Sequence, residues 1–143
     1  MTFPLDHRRS RIAIVIFELL NPLPYALFIA ALVSDAIYSK TAEILWMKAS
    51  AWLICMGLLA AVIPRLTNLV QVWVGGVRPR PLAPTLAFWL NALAIVAATA
   101  NAFVHSRDAY GSMPDGLWLS IVTVLLMVVA NVALTLHATH RTS

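Results

Sequence analysis

Between Thr85 and Val104 the chain runs for 20 residues without one charged side chain. Few soluble folds can bury such a run, whereas a helix of about 20 apolar residues just crosses a ~30 Å hydrocarbon core. Predominantly apolar stretches of similar length occur three more times, two of them carrying charges at Glu18, Asp35, Lys48 and Arg65. The spacing predicts helices over about 12–38, 48–74, 85–105 and 117–137. No run alternates with the period of two that a barrel strand needs, so helices are the expected spanning element. "GGVRPRPLAP" and "AYGSMPDG" supply the breakers that end the second and third runs.

Composition agrees with this reading. Of 143 residues, 61% are hydrophobic and only 11% charged, against about half and a quarter in an ordinary soluble domain. The expected class is an all-α integral membrane protein, a four transmembrane helix bundle forming a single membrane domain over 1–143. The net charge of +4 does not indicate nucleic acid, because the basic residues gather at helix ends and no basic patch with interleaved aromatics exists. It orients the bundle instead. With the N-terminus inside, Arg8, Arg9, Arg11, Arg78, Arg80 and Arg141 are cytoplasmic and only Lys40, Lys48 and Arg107 lie outside, predicting an N-in/C-in topology. The start, "DHRRSRIAIVIF", reads as a retained signal-anchor helix, since its apolar run is long and lacks an early cleavage site.

Polar residues inside such helices are costly and are expected to find partners in the bundle. Two groups emerge when they are sorted by depth. The inner group is Glu18, Asn21, Arg65, Asn68, Asn91 and Asn131, with a Glu18–Arg65 ion pair expected at matched depth and the amides as interhelical glue. The outer group is Asp35, Asn101, His105, Arg107 and Asp108. Asn101, His105 and Asp108 are spaced i, i+4, i+7 and should share a face, while Arg107, roughly 100° round from Asp108, is placed to reach Asp35. A structural network, a proton or substrate pathway, and a crevice for a lipid or quinone head group are all open for these groups. Pro22 and Pro24 are expected to kink or unwind the first segment.

The sequence carries no hydrolase motif, no glycine-rich phosphate loop and no HExxH. No catalytic residue and no metal site is therefore assigned. No cofactor is predicted. Haem b or quinone is the alternative, with His105 as ligand or proton carrier. A bis-histidine haem needs a second ligand at the same depth, however, and His7, His137 and His140 lie towards the other face. Met47, Met113 or a second subunit would have to supply it. The single Cys55 reads as a small buried apolar residue. Ala94, Ala98 and Ala102 form a ridge for close helix packing, within the chain or in a homodimer. Trp46, Trp52, Trp73, Trp89 and Trp118 fall where aromatic belts are expected.

"NPLPYALFIAALVSDAIY", "GLLAAVIPRLTNL" and above all "NAFVHSRDAY" resemble the bacterial membrane protein family classed as domain of unknown function 2231, over about Asn21 to Asn131. The resemblance implies four spans in a bacterial inner membrane. Because some members are joined to a Rieske iron–sulfur module, it also implies proximity to redox work. Members often carry His-Pro where this chain has Asn21-Pro22, and this chain has no Rieske ligands, which departs from an electron-transfer role. The resulting expectation is a multi-pass, non-enzymatic membrane subunit or structural partner of a redox or envelope assembly. Its partners would be the lipid bilayer and another membrane subunit or a homodimer. Small redox protein and proton or small-solute transport stand as the alternatives.

Overall fold

The computed structural model describes residues 22–75, 82–107 and 109–142, with side chains described over 22–62, 85–107, 111–137 and at 139. These residues form helices, with no strand among them: α1 (Leu23–Thr41), α2 (Ile44–Gly75), α3 (Leu82–His105), a short 3-10 turn (Ala109–Ser112) and α4 (Asp115–Thr142). Three helical stretches, Ile44–Val62, Thr85–His105 and Asp115–His137, are long and apolar enough to cross a membrane. The predicted second, third and fourth segments thus each fall on one helix. The first is described only from Pro22 onward, and its earlier part lies outside the described residues. A kink at Pro22 and Pro24 would be measured against that earlier part, so it too lies outside the described residues. Pro22 caps α1 and Pro24 sits in its first turn, where a missing N–H costs no helical bond.

The interior stripe of each helix advances in steps of three and four. It reads Pro24, Phe28, Ala31, Asp35, Tyr38 on α1; Met47, Ser50, Ile54, Gly57, Ala61 on α2; Ala87, Asn91, Ala94, Ala98, Asn101, His105 on α3; and Ser112, Gly116, Ser120, Thr123, Met127, Ala130 leading into and along α4. This 3.5-residue period is the seam of left-handed bundle packing. The chain forms two antiparallel hairpins, α1 with α2 and α3 with α4. They close into a ring through α1–α4 and α2–α3 contacts. Small residues line the seam: Ala31, Ala61, Ala94 and Ala98 are fully enclosed beside Phe28, Ile54 and Met127. The alanine ridge on α3 is therefore used within the chain. Gly57 lets α2 approach α1, since a Cβ there would lie 2.9 Å from Phe28 Cε1.

The outside is the apolar surface. Trp52, Leu45, Phe103, Trp89 and Trp118 are all more than 60% exposed, while Asp35, Ser50, Asn101 and His105 are inside. That inversion of a water-soluble pattern suits lipid as the surrounding solvent. Cys55 also faces outward, contrary to the expectation of burial, because it stands one residue past Ile54 and off the α2 seam. Trp118 lies in the first turn of α4, whereas Trp52 and Trp89 lie about two turns inside α2 and α3. Trp46 is half-buried.

α1 ends at Ala42, which takes the left-handed conformation (φ 55°, ψ 20°) and donates its N–H to the Tyr38 carbonyl. Glycine is the usual residue there because a Cβ crowds the backbone. Ala42 is exposed, so Ala42→Gly should raise stability by about 1 kcal/mol, read as a higher melting temperature in detergent.

Candidate functional site

The 3–4 seam brings three polar helical positions to one end of the bundle. Asp35 lies near the C-terminal end of α1, His105 is the last residue of α3, and Ser120 is in the second turn of α4. All sit on interior stripes and are nearly inaccessible: Asp35 is 0% exposed, Ser120 3% and His105 4%. The α1–α2 connection at 42–43, the end of α3 and the start of α4 at Asp115 all lie at this end.

The contacts form one connected chain. His105 Nε2 lies 2.8 Å from Asp35 Oδ1, which links α1 and α3 across the diagonal of the ring. Ser120 Oγ donates to Asp35 Oδ2 over 2.5 Å. Asn101 Nδ2 in turn donates to Ser120 Oγ over 2.7 Å. His105 Nδ1 lies 3.0 Å from the backbone carbonyl of Asn101, one turn earlier on α3. Both carboxylate oxygens, both ring nitrogens and both roles of the hydroxyl are thereby engaged. A carboxylate at this depth is tolerable only with such partners. Within this network Asn101 Oδ1 is left without a partner; among the described residues Asn91 Oδ1 and His137 Nε2 are likewise buried and unpartnered.

Gly116 makes room for the imidazole. A Cβ at this position would come 2.7 Å from His105 Cε1 and 3.3 Å from Nδ1. The neighbouring layer is polar as well: Ser50 of α2 lies 3.4 Å from the Ala31 carbonyl of α1, and Ser34 returns its hydroxyl to Ala30.

The outer polar group of the sequence is thus assembled in part. Asp35, Asn101 and His105 meet. Arg107 does not take Asp35: it is exposed, and the ion pair Asp35 makes is with His105. The physical reason is that α3 ends at His105 and tightens as it does so, with Ser106 N–H bonded to both the Ala102 and Phe103 carbonyls and Arg107 N–H to Val104. Steps of helical geometry cannot be continued past that point to Arg107 or Asp108. Asp108 itself lies outside the described residues. Ser120 and Gly116 were not among the expected site residues. Their signal was only their place on the 3–4 stripe of α4, since serine in an apolar helix and glycine in a loop-like "PDG" carry no chemical mark of their own.

The inner group is described only in places. Glu18, Asn21 and the side chains of Arg65 and Asn68 lie outside the described residues, and with them the expected Glu18–Arg65 pair. Asn91 is buried and bonds back to the Ala87 carbonyl over 2.8 Å. Asn131 is exposed and accepts from Tyr25 Oη over 2.9 Å, tying α4 to α1.

Chemically, the site is not a nucleophilic triad. Ser120 and His105 both address the carboxylate, and no serine–histidine contact exists to activate the hydroxyl. Nor does His105 offer a free nitrogen to a metal or haem in this arrangement. No group of three metal-ligating side chains occurs among the described residues. Searches of family models, curated proteins and solved structures found no match to this chain.

Proposed function

We propose that this chain is a four-span protein of a bacterial inner membrane, with both termini in the cytoplasm, that works as a non-enzymatic membrane subunit or structural partner of a redox or envelope assembly. One observation carries the reading: the most polar site described is spent on itself, joining α1, α3 and α4, with no nucleophile or ring nitrogen left over for chemistry. The apolar run before Pro22 supports a first span longer than the described α1. The distribution of arginine and lysine supports the orientation, and "NAFVHSRDAY" supports kinship with the family of domain of unknown function 2231. Haem or quinone binding is the competing reading. For His105 to ligate haem, it would have to surrender a hydrogen bond to Asp35 or to the Asn101 carbonyl, at a cost of about 1.5–3 kcal/mol for the charged partner.

An absorption spectrum of the detergent-purified protein, oxidised and then reduced with dithionite, is expected to show aromatic absorption alone. A Soret band that sharpens on reduction would overturn the reading. Reporter fusions test the topology: alkaline phosphatase should be active when fused after Ala42 and inactive at the C-terminus. The reverse pattern would refute N-in/C-in.

A further inference from the structure

A backbone carbonyl has no hydrogen to give, so the 3.0 Å contact between His105 Nδ1 and the Asn101 carbonyl requires the hydrogen on Nδ1. A neutral imidazole with its hydrogen on Nδ1 bears a lone pair on Nε2. Yet Nε2 stands 2.8 Å from Asp35 Oδ1, and an ionised carboxylate also has only lone pairs. Ser120 cannot supply the missing hydrogen, because its hydroxyl is directed at the other oxygen, Oδ2, and it is itself the acceptor for Asn101 Nδ2. The opposite tautomer fails symmetrically, leaving the Nδ1 lone pair against the carbonyl oxygen.

We infer that Asp35 and His105 form a proton-binding site that holds one proton between Nε2 and Oδ1, and that this bound proton joins α1 to α3 across the bundle. The proton resides on the carboxyl or on the ring. Either way, the pair as a whole is neutral, which suits a fully enclosed position among apolar helices. When the proton leaves, one negative charge remains and the ring's single hydrogen can serve only one of its two contacts, so either Nε2 meets Oδ1 or Nδ1 meets the Asn101 carbonyl lone pair to lone pair.

Other charges are poorly placed to substitute. On the elements packed around the pair, α1 adds the buried Tyr38 and the exposed Lys40, α2 the exposed Lys48, and α4 the exposed Asp115. Glu43 and Arg107 in the adjoining turns are exposed, and Asp108 lies outside the described residues. The pair also sits close to the loops, since His105 is the last residue of α3 and Asp35 is six residues from the end of α1. None of this depends on whether the protein serves a larger assembly.

The test uses an isosteric substitution. In Asp35→Asn the side-chain amide donates a permanent hydrogen to Nε2 and its carbonyl still accepts from Ser120, so the network is complete without a bound proton. Unfolded, the aspartate is ionised and the histidine loses its proton through about pH 6.5, whereas the proposed folded pair keeps one. Folding therefore binds a proton, and stability falls as pH rises. The unfolding equilibrium of the full chain, measured by SDS titration from a mild detergent between pH 6 and 9, should shift towards unfolding by up to about tenfold per pH unit in the wild type. Asp35→Asn should be nearly flat. Identical pH profiles for the two proteins would overturn the inference.

If Asp35→Asn does not fold, the wild type decides alone. Infrared spectra with ¹³C-labelled aspartate and NMR with ¹⁵N-labelled histidine, at pH 7.5, should find either a protonated Asp35 carboxyl or a His105 imidazolium, with His105 assigned by loss of its signal in His105→Gln. An ionised Asp35 beside a neutral His105 would refute the site.

Discussion

Asp35→Ala should destabilise the bundle by about 3–5 kcal/mol, the usual cost of removing one member of a buried pair. His105→Ala should cost as much. In each case the surviving group is left enclosed: His105 with an unanswered nitrogen, or Asp35 with a charge that Ser120 alone must support. Asp35→Asn restores donors and acceptors in place and should cost less than about 1.5 kcal/mol. The contrast between alanine and asparagine at one position separates hydrogen bonding from packing. SDS-titration midpoints at pH 6 would show it. Equal losses for the two would mean that shape alone matters at position 35.

The second large effect comes from a residue with no side chain. Gly116→Ala places a methyl group 2.7 Å from His105 Cε1, closer than carbon atoms tolerate. The ring is pinned on both nitrogens, so it cannot swing away without breaking a contact. Overpacking of this kind costs about 1–3 kcal/mol. The loss should grow further when Asp35 is released. Gly111 provides the control, for a Cβ there meets nothing within 4 Å. Gly111→Ala should change stability by less than about 0.5 kcal/mol. Thermal unfolding of both variants in detergent tests the difference, and equal effects would show that Gly116 is not the seat of the imidazole.

The helices were legible because apolar runs of 20 residues leave the chain few alternatives. Their ends were less so. α2 begins at Ile44 rather than near Lys48, since "ILWM" is apolar and can continue the helix as readily as Ala49 onward. α4 begins at Asp115, ahead of the predicted Leu117, because aspartate favours a first turn. The site was half legible. Asn101 and His105 declare themselves as polar residues one turn apart in an apolar helix, and Asp35 as a carboxylate at similar depth. Asp35 takes His105 rather than the expected Arg107. Arginine is the stronger partner in the abstract, but the end of α3 after His105 leaves Arg107 exposed while His105 stays on the seam. Ser120 and Gly116 could be found only by extending the 3–4 stripe through α4 and asking what each position faces.

The central claim is that Asp35 and His105 bind each other across the bundle, and a double-mutant cycle measures it most directly. With Asp35→Ala, His105→Ala and the double variant unfolded under one set of conditions at pH 6, the coupling should exceed about 1.5 kcal/mol, with the double variant little worse than either single one. Additivity within about 0.5 kcal/mol would contradict the account, because residues that lose stability independently do not share a proton or a contact.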